Sequence, residues 1–376
     1  MSGIYIHIPF CKKACHYCDF HFSTSLQQVQ TMTNALLVEL ELRQQYIQES
    51  IETIYFGGGT PSLLSTEALE KIINTIYKCY KVINDVELGL EANPDDINND
   101  KLEDWIELGI NRLSIGVQSF TDSELQWMNR MHTGQQSITC IQQAQQKGFE
   151  NISIDLIYGT PALSDDKWIE TLQTAVSLNI PHLSCYALTV EEKTALYQMI
   201  QKKTTKPVDD DAQAKQFIQL SNFLVSKGYE HYEISNLAKP GWRSKHNTAY
   251  WQGKSYLGIG PSAHSFNGIS RQWNIANNAL YIQAIQQQQI PCTVEQLTVV
   301  QQLNEYIMTA LRMQEGVNIH YIRDKWGEKY ATMLKKNIAL INTERINITN
   351  NSLLLTLSGK LMADGIAAML FFEKEP

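Results

Sequence analysis

Short apolar runs alternate with amphipathic stretches along the first half of the chain. In one such stretch Leu69, Ile72 and Ile76 recur at helical spacing behind Ser65 or Thr66, which would cap the helix. Six strand-like runs lie between stretches of this kind: Ile4–Ile8, Thr53–Phe56, Val86–Glu91, Arg112–Val117, Ile152–Ile157 and His182–Ala187. Strands and helices in alternation predict a parallel sheet with crossover helices.

Polar or glycine-rich residues follow the carboxyl end of each strand-like run. Gly57–Pro61 follows the second run, and Gly116–Ser119 ends the fourth. Because α/β barrels keep their active sites at this end of the strands, we expect these loops to converge on one site. Six units are too few for a complete (β/α)₈ barrel. We therefore predict an α/β fold built on a partial (β/α)6 barrel.

The pattern changes after residue 210 and divides the chain into three predicted parts. Residues 1–210 form the barrel, and residues 211–290 extend it. The extension contains a helix, Ala212–Lys227, and a short strand, His231–Ser235, followed by a loop-rich stretch with several aromatic residues. Residues 291–376 form a separate C-terminal module.

The C-terminal module has the pattern of a small α+β unit and resembles a winged helix. Two helical repeats, the second from Ile319 to Tyr330, precede a hairpin with a turn at Asn350-Asn351. Ser358 would then cap a final helix. This module contains nine Lys/Arg and nine Asp/Glu residues, so its net charge is zero. Since a DNA-recognition module is normally basic, we expect no nucleic-acid partner.

The composition is that of a globular protein, with 43% hydrophobic and 19% charged residues. The formal net charge of -8 disfavours nonspecific binding to nucleic-acid phosphates. No secretory signal is visible, and the apolar run Ile366–Phe372 is too short to span a bilayer. We therefore expect a cytoplasmic protein without a membrane span.

Three cysteines, Cys11, Cys15 and Cys18, share one short loop after the first strand-like run. Thiolates grouped in this way in a reducing compartment usually hold a metal or a cluster. Because a four-iron cubane takes four ligands, three cysteines would leave one iron open. A zinc site is the alternative and needs a fourth ligand. The candidates for that ligand are His7, His16, Asp19 and His21. A disulfide is less favoured, since the chain has seven cysteines, an odd number.

Two carboxylates and a glycine run are further candidates. Gly57-Gly58-Gly59 would let the backbone approach a ligand closely, although glycines are also common in ordinary strand-to-helix turns. Glu91, at a strand end, would bind a ligand ammonium or ribose hydroxyl, or be an ordinary surface carboxylate. Asp155 lies inside an apolar strand, where a lone carboxylate needs a partner. Arg130 is the candidate counter-charge, with a solvated helix arginine as the alternative.

The segment His246–Trp251 places a histidine and two large aromatic residues within one or two helical turns. Such a segment would flank a flat apolar ligand, and imidazole is a usual proximal ligand of heme iron. The alternative is a capped helix that packs its aromatic side chains on the barrel. His264 lies in a glycine-rich stretch, and this stretch predicts another loop that closes on the site.

Taken together, these residues resemble the radical S-adenosylmethionine (SAM) superfamily, which is marked by a three-cysteine loop of this spacing and a glycine-rich second motif. Further segments resemble the oxygen-independent coproporphyrinogen III oxidase family. They are Tyr5–Cys11, Glu91–Pro94, Gly116–Gln118 and Ile154–Gly159. The resemblance covers nearly the whole chain. It departs from the oxidases at Phe20, where they carry a further cysteine, and Phe20 with His246–Trp251 resembles the heme chaperone branch.

The resemblance implies three bound groups: a [4Fe-4S] cluster, S-adenosylmethionine and heme. Cys11, Cys15 and Cys18 would ligate the cluster. Tyr5, Gly58 and Glu91 would contact the S-adenosylmethionine. The other pocket positions that the resemblance implies are Tyr17, Gly59, Thr60, Gln118, Arg130, Asp155, Ala187 and His264. His246 is the candidate heme contact.

Three functions follow from these alternatives. The first is a heme chaperone of the radical SAM type that delivers heme to acceptor proteins, in part through peripheral contact with membrane heme proteins. The second is a coproporphyrinogen oxidase of porphyrin biosynthesis, in which a radical abstracts hydrogen from a propionate side chain that then loses carbon dioxide. Phe20 weighs against this second activity. The third is a non-enzymatic zinc protein on a barrel scaffold.

Overall fold

The computed structural model describes residues 2–349 and 351–374, which contain fifteen strands and fifteen α-helices. The elements of the first half are β1 (Ser2–Ile8), α1 (Val29–Leu42), β2 (Ile51–Gly58), α2 (Thr66–Cys79), β3 (Val82–Ala92), α3 (Asn99–Glu107), β4 (Arg112–Gln118), α4 (Asp122–Trp127), α5 (Gly134–Gln146), β5 (Asn151–Tyr158), α6 (Asp165–Ser177), β6 (His182–Ala187) and α7 (Ala195–Gln201).

The second half continues with shorter strands. Its elements are α8 (Asp210–Ser226), β7 (Glu230–Glu233), β8 (Asn236–Ala238), α9 (Lys245–Trp251), β9 (Tyr256–Ile259), β10 (His264–Phe266), β11 (Ser270–Asn274), α10 (Asn278–Gln286), β12 (Cys292–Gln296), α11 (Val299–Arg312), β13 (Val317–Asn318), α12 (Ile319–Trp326), α13 (Glu328–Ile338), β14 (Ile346–Ile348), β15 (Ser352–Leu355), α14 (Leu357–Lys360) and α15 (Ala363–Leu370).

One large sheet organises the first 296 residues. Within the described residues it has twelve strands in the order β12-β11-β10-β9-β1-β2-β3-β4-β5-β6-β8-β7. Strands β1 to β6 pair in parallel in chain order. This arrangement confirms the predicted parallel sheet and partial barrel. The two edge strands, β12 and β7, do not pair with each other in the described part of the chain, so the barrel is open there.

Side chains of these strands alternate between the outer helices and the barrel interior, which we call the lumen. Ile4 and Ile6 of β1 are fully buried in the main core, whereas Tyr5 between them lines a cavity in the lumen. The helices cover the outer face with their apolar sides. In α2 the cap is Ser65, whose side chain accepts from the Ala68 N–H, as one of the two sequence alternatives predicts.

The sheet extends beyond the six predicted strands at both edges. On one side β9 pairs in parallel with β1, and β10, β11 and β12 follow in antiparallel pairs. On the other side β8 is antiparallel to β6 and β7 is antiparallel to β8. The strand predicted at His231–Ser235 forms as β7, but it ends at Glu233, where the chain reverses into β8. The Glu233 carboxylate accepts from the Ser235 N–H and from Asn236 Nδ2 and stabilises the reversal.

Helix α9 closes the lumen at the amino-terminal ends of the strands, and we call this end the floor. The Glu87 carboxylate of β3 accepts from the Lys245 N–H at 3.2 Å and from the His246 N–H at 3.0 Å. A carboxylate at a helix N-terminus satisfies free amide donors and complements the helix dipole. The position of α9 is therefore fixed by contacts with the barrel strands.

The C-terminal module has the order helix, strand, helix, helix, strand, strand, with β13, β15 and β14 in one antiparallel sheet. This is the predicted winged-helix-like arrangement, and its own core surrounds residues such as Leu303 and Leu334. The helix predicted from Ile319 to Tyr330 breaks at Gly327, whose φ of 106° is accessible to glycine at little cost.

For this module, the predicted helix cap needs correction, and the predicted turn lies partly outside the described residues. Ser358 does not cap the last helix. It lies inside α14, whose cap is Thr356, and α15 begins only at Ala363. The predicted turn at Asn350-Asn351 includes Asn350, which lies outside the described residues. The three-part division at residues 210 and 290 stays a prediction.

Candidate functional site

The three cysteines lie on a loop at the carboxyl-terminal end of the barrel, which we call the upper end. The loop is pinned at its base, where the Cys11 N–H donates to Ser23 O at 3.0 Å and the Ser23 N–H donates to Pro9 O at 2.9 Å. Its far side is held by Asn129, whose Nδ2 donates to Ala14 O at 2.7 Å. The loop therefore has a fixed position over the lumen.

Donors from two neighbouring loops, one after β2 and one between α4 and α5, point at two of the sulfurs. Thr60 Oγ1 donates to Cys11 Sγ at 3.5 Å, and Arg130 Nη1 donates to Cys15 Sγ at 3.4 Å. Burial raises the pKa of the Cys11 thiol to about 11, against the effect of the Thr60 hydrogen bond. The pKa of Cys18 is also raised by burial. Thiolates in this loop therefore need a positive partner, which a metal cluster provides.

Asn93 completes a continuous polar chain between Cys11 and Cys15. Asn93 Nδ2 donates to Thr60 Oγ1 at 3.1 Å, and Asn93 Oδ1 accepts from Arg130 Nη2 at 2.6 Å. The structure thus brings together Thr60, Arg130 and two of the cysteines, as predicted. Asn93 was not among the predicted site residues, although its place in Glu91–Pro94, directly after a strand, could have identified it.

Of the four candidate fourth ligands for zinc, the three histidines each have a ring nitrogen hydrogen-bonded elsewhere, whereas Asp19 is exposed. His7 Nε2 and His16 Nδ1 are hydrogen-bonded to the backbone carbonyls of His21 and Trp127. His21 Nε2 is hydrogen-bonded to Asn278 Oδ1 at 2.8 Å. Among residues 2–349 and 351–374, no three Cys, His, Asp or Glu side chains converge closely enough to enclose a single metal ion.

The glycine motif after β2 is required by close packing against the cysteine loop. Gly58 has φ of 105°, and a Cβ there would lie 2.5 Å from His7 Nδ1. A Cβ on Gly59 would lie 2.6 Å from Phe10 O. Neither position accepts a side chain without displacement of the loop. The backbone of Gly58 and Gly59 is therefore packed against β1 and the start of the cysteine loop, where the Gly58 N–H donates to Glu91 Oε2 and the Gly59 N–H donates to Ile8 O.

Gln118 ends β4 in a strained conformation, with φ of 66°. Non-glycine residues in the left-handed region are uncommon and occur often at functional sites. A Cβ on Gly116 would lie 3.1 Å from Gln118 Nε2 and 3.2 Å from Arg130 Nη2. Gln118 and Arg130 therefore meet beside the same strand end. The buried Nε of Arg130 has no hydrogen-bond partner among the described residues, so this corner has capacity for a ligand.

Below the cysteine loop, the lumen holds a polar cavity of about 210 Å³. Glu91 and Asp155 face it from neighbouring sides. Burial, and then repulsion from Asp155, raises the pKa of Glu91 to about 8. Burial raises the pKa of Asp155 to about 6, against the opposing effects of Ser184 and Arg130. Two carboxylates with raised pKa values in one cavity favour a cationic ligand.

Several cavity residues were absent from the sequence predictions. They are Tyr55, Ser114, Ser184, Tyr186, Asn247 and Tyr250. The strand residues among them alternate with core residues, so the two-residue period of the barrel strands could have identified them. Tyr55 forms part of an aromatic wall with Tyr5, with ring centroids 6.5 Å apart. Tyr5 itself is hydrogen-bonded to His7 Nδ1 at 3.1 Å.

His246 lies at the bottom of this cavity and is 2% exposed. Its Nδ1 is hydrogen-bonded to Thr53 Oγ1 at 2.8 Å, and its Nε2 to Tyr250 OH at 2.9 Å. Its ring also stacks on Tyr55, with centroids 4.9 Å apart. Both nitrogens are therefore occupied, and a heme iron would have to displace one of these hydroxyls. The role of His246 as a heme contact stays a prediction.

The remaining predicted positions lie around the rim. Tyr17 packs beside Met128 in a small apolar cluster under the cysteine loop. Ala187 ends β6 opposite Tyr158. His264 begins β10, so it is not in the loop that the glycine-rich stretch predicts, and it is exposed.

The site contains three thiols, donors aimed at two of them, closely packed glycines and the unpartnered Arg130 Nε, and these features fit the groups that a radical SAM protein holds. Comparison with known proteins gives the same class: the Radical SAM superfamily matches residues 5–175. The solved structure of coproporphyrinogen III oxidase (HemN) from Escherichia coli, a radical SAM enzyme, superposes with a TM-score of 0.86. It is 22% identical and covers 99% of this chain and 90% of its own. The fold is therefore that of a radical SAM protein.

Two curated relatives narrow the assignment. Heme chaperone HemW of Bacillus subtilis is 35% identical, covering 97% of this chain and 98% of its own length. Heme chaperone HemW of Escherichia coli is 37% identical, covering 70% of this chain and 69% of its own. The chain belongs to the HemW family of the radical SAM superfamily. Membership of that superfamily implies a [4Fe-4S] cluster and S-adenosylmethionine. In the described residues, no helix is both long and apolar enough to cross a membrane.

Proposed function

We propose that this protein is a heme chaperone that holds a [4Fe-4S] cluster and S-adenosylmethionine at the upper end of its barrel and passes heme to acceptor proteins. The observation that carries the proposal is the similarity to HemW of Bacillus subtilis along 97% of the chain, C-terminal module included. Phe20 supports it, because the chain lacks the further cysteine expected of the oxidases.

Different residues of the upper end would bind the cluster and the S-adenosylmethionine. Cys11, Cys15 and Cys18 would hold the cluster, and Thr60 and Arg130 would donate to its sulfur ligands. The backbone of Gly58 and the carboxylate of Glu91 would bind the amino acid part of S-adenosylmethionine. When bound, the reduced cluster supplies one electron to the sulfonium.

Polar rim residues would complete the pocket. Asp155, Gln118, Arg130 and Ala187 would line its far side, and the buried Arg130 Nε is the donor that a ligand carboxylate would satisfy. Tyr17 and the cysteine loop would exclude water from above. The proposed place of action is the cytoplasm, where reduced thiols persist. We include among the proposed acceptors membrane heme proteins, which this protein would contact peripherally.

Heme transfer from the loaded protein tests the function. The anaerobically reconstituted chain, which should contain about four irons, would be loaded with one equivalent of hemin and mixed with apomyoglobin as a probe acceptor. We expect the heme spectrum of myoglobin to appear faster than it does when hemin bound to serum albumin is the donor. Failure of the full chain to bind hemin, or to release it to the acceptor, would overturn the proposal.

Coproporphyrinogen oxidation is the second candidate, favoured by the superposition on coproporphyrinogen III oxidase. At 22% identity that superposition supports the fold alone. Anaerobic incubation with coproporphyrinogen, S-adenosylmethionine and a reductant separates the two activities. Steady formation of vinyl groups and carbon dioxide would favour the oxidase, and none is expected.

A further inference from the structure

We propose that His264 is the residue that ligates heme iron in this chain, and that an aromatic face of the extended sheet supports the macrocycle. The inference rests on the proposed function, because it names the binding site of the cargo. We call this surface the outer aromatic face and define it as Tyr256, His264, Phe266 and Trp273.

Exposure, together with the absence of any ring-nitrogen hydrogen bond among the described residues, singles out two histidines. The chain has nine, all within the described residues. Seven are buried or partly buried, and each has a ring nitrogen hydrogen-bonded to another residue. These seven are His7, His16, His21, His132, His182, His231 and His246. His264 and His320 are exposed, and neither has a hydrogen bond to the described residues.

Aromatic neighbours then distinguish His264 from His320. His264 lies directly opposite Trp273 in the β10–β11 pair, and the two rings stack with centroids 6.1 Å apart and planes at 27°. No aromatic ring contact involves His320 among the described residues. A porphyrin requires a flat apolar surface beside its iron ligand, and only the surroundings of His264 provide one.

The register of the strands places the four rings on one face. Phe266 lies opposite Tyr256 in the β10–β9 pair, with ring centroids 6.2 Å apart. Residues directly opposite in a sheet share a face, as do residues two apart in a strand. His264, Phe266, Tyr256 and Trp273 therefore project from the same side of the sheet.

That side is continuous with the lumen wall. Tyr256 lies opposite Gly3 of β1, and Tyr5, two residues further, lines the lumen cavity. Tyr256 also contacts Tyr250 of the floor helix edge-to-face, with centroids 4.5 Å apart. A heme on the outer aromatic face would therefore lie beside the open edge of the barrel, next to the proposed cofactor pocket.

Local charge keeps the imidazole ready for iron. Partial burial, followed by the Arg271 charge, lowers the pKa of His264. Arg271 lies on the same face and forms an ion pair with Glu305 of α11. Iron binds the neutral ring, so a lowered pKa favours ligation at neutral pH.

Hemin titration of full-length variants tests the assignment. We expect His264→Ala to lower hemin affinity by roughly tenfold or more and to remove the imidazole-ligated signature from magnetic circular dichroism spectra. Added free imidazole should restore that signature by ligating the iron from solution. The matched control is His320→Ala, an equally exposed histidine, which should bind hemin like the parent.

The outcomes separate this inference from the proposed function. If the parent chain binds no hemin, the chaperone function fails and the site fails with it. If the parent binds hemin and His264→Ala gives the same affinity and spectrum, the function stands and the ligand is another residue. The assignment would also be overturned if His264→Ala kept the imidazole signature while another histidine variant lost it. The other variants to compare are His16→Ala, His21→Ala and His246→Ala. Far-UV circular dichroism checks that each variant is folded.

Discussion

The upper end of the lumen and its floor are both built from polar and aromatic side chains. Each leaves some buried groups without a partner among the described residues, including Thr248 Oγ1 and Trp251 Nε1 of the floor helix, but His246 at the floor and Arg130 at the upper end differ in how completely they are hydrogen-bonded. On the floor, His246 has both ring nitrogens hydrogen-bonded and the Glu87 carboxylate accepts two backbone N–H groups. At the upper end, Arg130 has an unpartnered buried Nε, and Gln118 is held in a left-handed conformation.

This difference separates a histidine whose two ring nitrogens are satisfied from an arginine that keeps a free donor. Buried groups that satisfy one another stabilise the fold and have little left for a ligand. Groups left unsatisfied or strained retain interaction energy that a ligand can use. The segment containing His246 resembles a functional site in sequence as much as the cysteine loop does, and its hydrogen bonds favour the alternative of a structural role, which remains to be tested. Substitutions at the two ends should therefore have opposite consequences.

The largest effect is expected at the cysteine loop. Cys18→Ser should lose nearly all bound iron, from about four atoms per chain to fewer than about one, because a serine hydroxyl is a poor cluster ligand. The unfolding midpoint of the cluster-free protein should stay close to that of the cluster-free parent, since the barrel core does not include Cys18. Iron and sulfide analysis after anaerobic reconstitution measures the first effect, and calorimetry the second.

Cys79→Ser is the matched control, because Cys79 is partly buried like Cys18 but lies at the end of α2. It should retain the full cluster. A Cys18→Ser protein with a full complement of iron would show that the upper end does not bind a cluster through this loop.

Glu91→Gln should weaken ligand binding and stabilise the empty protein. The pKa of Glu91 is raised in the folded state, so its ionisation opposes folding as the pH rises from about 4.5 to about 8. At pH 8.5 the variant should be more stable than the parent by about 4–5 kcal/mol, since the pKa is raised from 4.5 to about 8 and one pKa unit corresponds to about 1.4 kcal/mol. At pH 5 the difference should nearly vanish.

The same variant should bind S-adenosylmethionine roughly tenfold or more weakly, because a charge-assisted hydrogen bond is lost. Denaturant unfolding across pH and isothermal titration calorimetry measure the two effects. Glu107→Gln, at an exposed carboxylate of α3, should change neither quantity. Equal stability curves for the parent and Glu91→Gln would contradict the raised pKa.

His246→Ala should produce the reverse pattern at the floor. It removes two hydrogen bonds and a stacked ring, and it leaves the hydroxyls of Thr53 and Tyr250 without their partner. We expect a loss of about 2–3 kcal/mol in the free energy of unfolding, measured with urea. Hemin affinity should stay within about twofold of the parent, which corresponds to less than about 0.5 kcal/mol.

His246→Gln keeps hydrogen-bonding capacity and serves as the conservative variant if the alanine protein is poorly folded. Unchanged stability together with lost hemin binding would reverse our comparison, because His246 would then be a ligand and not a structural group of the floor.

The smallest effect on the free energy of unfolding is expected for a helix cap outside both regions. It gives a reference for the size of the other stability changes. Ser65→Ala removes the cap of α2, whose hydroxyl accepts from the Ala68 N–H at 3.2 Å, and should cost about 1 kcal/mol. Cluster content and ligand affinity should not change. Ser226→Ala, an exposed hydroxyl at the end of α8, should be nearly neutral in the same urea titration. A cap loss that exceeded the His246→Ala effect would mean that the floor network contributes little to stability.

Much of the barrel was predictable because its strands and helices have strong local patterns. All six predicted strands form, and Ser65 caps α2. The edge strands were missed for a physical reason. Strands β8 to β12 are three to five residues long, and their side chains are mixed in polarity, so no two-residue period develops. The reversal between β7 and β8 depends on Glu233, which accepts from Ser235 and Asn236 in the turn and from the distant Arg312 of α11.

The sequence by itself determined the class of the protein. The spacing of Cys11, Cys15 and Cys18, the glycines that must pack bare against their loop, and the alternation of strands and helices are local properties, and each limits the chain to a few structures. Tertiary structure alone decided which polar groups are satisfied. Whether His246 or His264 has a free ring nitrogen depends on the register of strands β9 to β11 and on where α9 docks. These are long-range contacts, and the residues that make them carry no local pattern of their own.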